Sequence, residues 1–244
     1  MNKVNIIPMA GEGKRFSDKG YLKAKPFLHV NDTPMFIVAA KSLPYADKYI
    51  FICSRIHEKT YQINTLLKKN FNKFEIIFVD ELTDGQARTC MMAETLLSKD
   101  DVISIGPCDS YFEYSNINYN EKLINNDVII WSFQNKLTLE NPSMFGWIKI
   151  DSNEVVTEIK CKEPISLNPE NDNAVVGAFT FKSKKFFIKS LESMFKKKRM
   201  INKEFYLDIA IDEAVKNGYK VSMMKTNKFF SFGTPKEYEK NKFF

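Results

Sequence analysis

Short apolar runs alternate with amphipathic stretches through the first half of the chain. Val4–Pro8 is apolar and leads into Gly11-Glu12-Gly13, the pattern of a buried strand entering a glycine loop. Pro34–Leu43 reads as a helix with proline in its first turn. Lys48–Cys53 follows as a strand, and Glu58–Lys69 as a helix with Tyr61, Leu66 and Leu67 on one face. Glu75–Val79 is a strand, Ala87–Leu97 a helix with Met91, Met92 and Leu96, and Val102–Ile105 a buried strand running into Gly106-Pro107-Cys108-Asp109. This alternation predicts a mostly parallel, doubly wound sheet. Beyond Asp109 the pattern changes. Asp127–Phe133, Phe145–Asp151, Val155–Lys160, Ala174–Phe181, Lys220–Thr226 and Phe229–Phe232 read as strands, and Ser183–Lys197, Phe205–Asn217 and Pro235–Phe243 as helices. No linker, repeat or low-complexity tract divides the sequence. One α/β domain over residues 1–244, more antiparallel in its second half, is expected.

Composition narrows the class. A chain of 244 residues, 44% of them hydrophobic, can bury one substantial core. With 9 Gly and 9 Pro, collagen-like and Pro/Gly-rich disordered classes are excluded. The apolar runs fall far short of a membrane span, and Val4–Ile7 is too short for a signal-peptide core, so a cytoplasmic protein with no membrane partner is expected. Cys53, Cys90, Cys108 and Cys161 are widely spaced, and His29 and His57 stand apart. That arrangement gives no support to a zinc site, and four reduced thiols are expected. His57 begins a charged segment and reads as a surface residue; His29, within Phe27–Val30, reads as a strand residue rather than a base.

The 36 basic and 30 acidic residues leave a formal charge of +6, which invites a nucleic-acid reading. The lysines are dispersed, however, and the densest run, Lys196–Arg199, lies at an expected helix end, where cations complement the helix dipole. It is read as a solvated helix end, and no nucleic-acid partner is expected.

The chemistry concentrates in Pro8-Met9-Ala10-Gly11-Glu12-Gly13-Lys14-Arg15-Phe16. A glycine turn after a strand lets backbone N–H groups approach a polyphosphate. The dinucleotide pattern fails because Phe16 stands where its third glycine would be, and the Walker pattern is absent. A plain structural turn is the competing reading. Arg15 after the loop, and Lys25 before Pro26 ten residues later, are cations suited to neutralising phosphate oxygens. Asp109, at the C-terminal edge of a parallel sheet, is well placed for Mg²⁺ and phosphates, with a turn aspartate as the alternative. Asp84-Gly85-Gln86 opens a helix, with Asp84 as its expected N-cap.

IPMAGEGKRF followed by KAKPF resembles the opening signature of the sugar-1-phosphate nucleotidylyltransferases of the nucleotidyltransferase superfamily. Their pattern is an apolar strand, A-(A/G)-G-x-G-(S/T)-R, then P-K-P or K-P. Lys14 replaces the small hydroxyl residue and Ala24 the first proline. The likeness extends over nearly the whole chain, through Asn141–Lys149, Val156–Ser166, Ala174–Phe181, Lys203–Tyr206 and Gly233-Thr234-Pro235.

The resemblance implies a single-domain, Rossmann-like and glycosyltransferase-A-like α/β fold, a mixed sheet flanked by helices, with Mg²⁺ as cofactor. It implies Arg15, Lys25 and Asp109 as catalytic residues, with Asp109 also the metal ligand. Ala10, Gly11, Glu12, Gly13, Lys14, Asp84, Gly85 and Gln86 are implied for the nucleotide, and Gly146, Lys162 and Glu204 for the acceptor. Two departures stand out. Cys161 replaces a glutamate that holds sugar hydroxyls in many members, and Ser231 replaces a second metal-binding aspartate, leaving Glu204, Asp208 or Asp212 as candidate substitutes, or one protein ligand completed by phosphates and water as the alternative.

The implied partners are a nucleoside triphosphate and a small phosphorylated acceptor. The form with Gly20-Tyr21 before KPF resembles small enzymes encoded with bacterial surface-polysaccharide genes, which points to CTP and to phosphoglutamine as acceptor, for capsule phosphoramidate synthesis. Phosphocholine, or a hexose-1-phosphate with UTP or dTTP, are the alternatives within the class. From other classes, a glycosyltransferase would need a D-x-D, which Asp109-Ser110-Tyr111 lacks, and a non-catalytic nucleotide binder could discard Lys25 and Asp109.

Overall fold

The computed structural model describes residues 2–244. Its strands in the first half are β1 (Lys3–Met9), β2 (His29–Val30), β3 (Thr33–Pro34), β4 (Lys48–Ser54), β5 (Phe74–Val79), β6 (Val102–Ile105) and β7 (Ser110–Glu113). In the second half they are β8 (Val128–Phe133), β9 (Gly146–Ile150), β10 (Val156–Cys161), β11 (Asn173–Phe181), β12 (Val221–Lys225) and β13 (Lys228–Ser231). The first half forms a parallel block, with β1 between β4 and β6 and β5 outside β4. The long strand β11 joins this block antiparallel to β6. Its other edge pairs with β8, and its first residues also pair with β9, which carries β10 antiparallel. The last strand, β12, lies parallel to β8. The result is one mixed sheet flanked by helices, as expected.

Burial explains the strand sequences. β6 (VISI) and β8 (VIIWSF) are buried along their whole length, so they are apolar runs rather than alternations. Trp131 is fully buried, and its indole N–H donates to Thr180, whose hydroxyl also meets Ser104 at 3.0 Å. These three side chains thereby pair their polar atoms inside the sheet. Four-residue strand β7 pairs with β13 across more than a hundred residues, a contact without a local sequence signal.

Several expectations need correction. The predicted helix Glu58–Lys69 is two helices, Ile56–Tyr61 and Ile63–Asn70, broken at Gln62, whose φ of 51° is left-handed. His57 is not a surface residue: it is 4% exposed, edge-on to Phe27, and burial pushes its pKa down so that it stays neutral. The expected N-cap Asp84 is not one. Gly85 holds the cap position of Gln86–Met91, and Asp84 instead accepts from Arg88 at 3.2 Å.

Nor is the Lys196–Arg199 run merely solvated. Lys197 and Arg199 both donate to Glu213, which is 1% exposed and also bonded by Ser193. Burial alone would raise the Glu213 carboxyl, but these donors outweigh it and hold it at about 2. Among the described residues, no helix is long and apolar enough to cross a membrane.

Candidate active site

The chain adds β4 and β5 on one side of β1 and then crosses to place β6 on the other. The loops after β1 and β6 therefore diverge and leave a crevice at their C-terminal ends, where α/β sheets bind ligands. The first wall is Gly11-Glu12-Gly13. Gly13 has φ 67°, and a Cβ there would lie 3.3 Å from the Lys25 Cβ, so glycine serves both the turn and the close approach of the next segment. The one-turn helix Lys14–Ser17 follows, anchored by buried Phe16 edge-on to Tyr21 and Tyr238. Phe16, where a dinucleotide fold would need glycine, is thus a packing residue. Glu12 and Lys14 pair with each other at 2.7 Å on the surface, and Arg15 is exposed at the cleft mouth.

The second wall carries the charges. Lys25 begins a 3₁₀ turn with Pro26 in its first positions. The segment is fixed by Phe27 stacking on Tyr61 at 3.9 Å, and by the Ala24 N–H donating to the Tyr61 hydroxyl at 2.7 Å. Lys25 Nζ donates to Asp109 Oδ2 at 2.6 Å, with both side chains largely buried. Burial alone would push the Lys25 ammonium down, but the Asp109 carboxylate more than offsets this and holds it above its ordinary value. The lysine is therefore a fixed cation at neutral pH. Neighbouring Cys108 is pushed up to about 12 by burial, so its thiol is neutral and no nucleophile.

The third wall is the loop before Gln86. Gly85 has φ 120°, and a Cβ there would lie 2.5 Å from the Phe205 nitrogen. Only glycine fits, because the Phe205 N–H donates to the Asp84 carbonyl and the Ala87 N–H donates to the Phe205 carbonyl. The segment Glu204–Tyr206 is thereby clamped to this loop. A cleft of about 500 Å³ results. It brings together predicted residues Ala10, Gly11, Glu12, Gly13, Lys14, Arg15, Lys25, Gly85, Gln86, Asp109 and Glu204. Asp84 is not among its lining residues, and neither are Gly146 and Lys162.

Those last two form a corner beyond Glu204. Gly146 and Cys161 are register partners of β9 and β10, so they face the same side of the sheet. Lys162, left-handed at φ 62°, turns its Nζ to the Tyr206 hydroxyl at 2.7 Å. Burial, with the nearby Glu204 carboxylate, raises the Tyr206 phenol pKa.

The three candidate substitutes for a second metal carboxylate separate cleanly. Asp212 is tied to Arg199 and Lys216, away from the cleft. Asp208 lies against Gly146 in the corner, and Glu204 lines the cleft. Ser231 is engaged with Glu237 in capping the last helix. Asp208, named from sequence only as a candidate metal carboxylate, and Tyr206, marked there only within Lys203–Tyr206, both lie in this corner.

A metal would find Asp109 in the crevice after β6, with Glu204 the other candidate carboxylate lining the same cleft. Among the described residues, no three His, Cys, Asp or Glu side chains gather into a metal-holding cluster. Such a crevice, open to phosphates, fits Mg²⁺, which is bound through one or two carboxylates plus substrate phosphates and water.

A family profile described as nucleotidyl transferase matches residues 4–240. No curated protein matches the chain. Among solved structures, the chain is similar to a nucleoside-diphosphate-sugar pyrophosphorylase from Vibrio cholerae RC9, with TM-score 0.80, 19% identity, and 97% of this chain and 98% of that one covered. It is also similar to the inositol-1-phosphate CTP transferase from T. maritima, with TM-score 0.72, 12% identity, and 97% and 91% covered. A UTP-bound UGPase from Acinetobacter baumannii gives TM-score 0.71, 16% identity, and 99% and 92% covered. These neighbours share the fold. The family profile spans nearly the whole chain, and the protein belongs to the nucleotidyl transferase family.

Proposed function

We propose that this enzyme transfers a nucleoside monophosphate from CTP to a small phosphorylated acceptor, releasing pyrophosphate, with phosphoglutamine as the favoured acceptor in capsule phosphoramidate synthesis. The observation that carries the transfer reading is the Lys25–Asp109 pair, a fixed ammonium and a carboxylate at 2.6 Å where the glycine loop meets the loop after β6. The choice of CTP is supported by fold likeness to an inositol-1-phosphate CTP transferase, and a non-sugar acceptor by Cys161.

The acceptor phosphate is already ionised and needs no general base, so catalysis is positioning plus charge neutralisation. Gly11–Gly13 and Arg15 take the leaving pyrophosphate. Lys25 meets the charge that develops at the α-phosphoryl group. Gly85 and Gln86 flank the base. Lys162 holds the acceptor phosphate, and Glu204 closes the acceptor side of the cleft. Asp109 would hold Mg²⁺ together with the triphosphate, and the ion supplies neutralisation of phosphate oxygens.

The test is pyrophosphate release with each common NTP against a panel of phosphorylated acceptors. Release with CTP and phosphoglutamine, abolished by a metal chelator, is expected. Release with UTP and glucose-1-phosphate but not with CTP would overturn the cytidylyl choice. No release with any pair would overturn the transfer reading.

A further inference from the structure

Helix Leu207–Lys216 carries three carboxylates near the sheet, and they are not treated alike. Asp212 is bonded by Arg199 and Lys216, and Glu213 by Lys197, Arg199 and Ser193. Asp208 has no such partner: among the described residues, no N–H or ammonium bonds it, and the Cys161 thiol faces it. Lys162, the nearby cation, directs its Nζ to the Tyr206 hydroxyl instead.

Asp208 is nonetheless held firmly in place. A Cβ on Gly146 would lie 2.2 Å from Asp208 Oδ2 and 3.0 Å from Val175 Cγ2, so the carboxylate occupies the space that any larger residue at 146 would fill. Gly146 pairs with Cys161 across β9 and β10, which puts Cys161 on that same face. A half-buried carboxylate lacking a counter-ion is costly unless something else compensates it. Its position in the first helical turn gives partial compensation. A hydroxyl on a ligand would add a hydrogen bond but no charge; an ammonium would add both.

We propose that Asp208 recognises a protonated amine on the acceptor, so that the substrate class is a phosphorylated compound carrying an ammonium group, with the phosphate at Lys162 and the ammonium at Asp208. The inference rests on the acceptor-side placement of Lys162 proposed above. Burial, partly offset by the Cys161 thiol and the Lys162 ammonium, moves the Asp208 carboxyl up to about 6. The groups facing it are Cys161, Lys162 and Tyr206, of which the thiol and the phenol are both raised and do not titrate near neutrality. Amine recognition should therefore fade as pH falls through about 6.

The experiment compares O-phosphoethanolamine with its hydroxyl analogue 2-hydroxyethyl phosphate by calorimetric titration, using a non-hydrolysable NTP analogue and Mg²⁺. The phosphate ionises near about pH 6 in both probes, so the ratio of the two affinities isolates Asp208. The wild-type protein should favour the amine by about tenfold or more near neutral pH, the size expected of a charge-assisted contact. Asp208→Asn, nearly isosteric, should bring the ratio to about one. Gly146→Ala, which displaces the carboxylate by contact, should do the same by a separate route.

Equal binding of the two probes by the wild type, or a preference that survives Asp208→Asn, overturns the assignment. Pyrophosphate release is read in parallel. Release that favours the hydroxyl probe overturns the amine assignment while leaving the transfer reading intact. Absence of release with every acceptor overturns the transfer reading, and the affinity ratio still decides the role of Asp208.

Discussion

On the proposed nucleotide side of the cleft, backbone conformation fixes position; on the proposed acceptor side, side chains from distant segments do. Gly13 and Gly85 sit at φ 67° and 120°, and each has a neighbour where a Cβ would go. Lys25 is 84 residues from Asp109, but both follow elements that the parallel block fixes, and they meet at 2.6 Å. The acceptor corner instead gathers Gly146, Cys161 and Lys162 from β9 and β10 with Tyr206 and Asp208 from the start of a helix. The contrast suggests that phosphate handling is built into the loop geometry, whereas acceptor choice rides on a few replaceable side chains. The two sides are tied directly by the backbone clamp of Phe205 on Asp84 and Ala87.

Substitutions can break that comparison at points of decreasing effect. Lys25→Ala and Asp109→Asn should each lower kcat by about 10²-fold or more, as loss of one group that stabilises transition-state charge typically does, with KM for the acceptor little changed. Steady-state pyrophosphate release checks this, and near-normal turnover in either variant would remove the pair from the chemistry.

Glu213→Gln lies outside both sides and should act on stability alone, lowering it by about 2 kcal/mol, because the charge that Lys197 and Arg199 meet in the buried position is lost. The Glu213 pKa is depressed in the folded chain, so this contribution is fully present above about 4.5 and is lost as pH falls through about 2. Chemical denaturation of wild type and variant should converge over that window. Smaller again, Lys162→Ala should raise KM for the acceptor roughly tenfold and leave KM for the NTP unchanged, since one charge-assisted contact is removed. An equal rise in both would mean that the two sides are not separable.

The same division explains what could be read from sequence. The glycine loop, Arg15, Lys25-Pro26 and Asp109 were legible because strand ends, φ requirements and cations near a glycine turn leave local marks. The alternation of strands and helices was legible for the same reason, and the elements differ from expectation mainly at their ends. What escaped is tertiary. Glu58 and Lys59 beside His57 mask the burial of its ring against Phe27 and Tyr61. Gln62 breaks a helix although glutamine is a good helix former. Asp208 looks like any first-turn acid until Gly146 is brought beneath it by strands some sixty residues earlier. Lys197 and Arg199 look like a solvated run until Glu213 is seen beneath them.

The proposed reaction is direct transfer between two bound phosphates across the Lys25–Asp109 pair. It is tested most directly by incubating the protein with an acceptor and each NTP labelled at the α-phosphorus. The label should leave with the acceptor as a pyrophosphate-linked product, with unlabelled pyrophosphate released in equal amount, none on the protein, and no transfer by Lys25→Ala. Label retained covalently on the protein, or released as nucleoside monophosphate or diphosphate with the acceptor unlabelled, would contradict it.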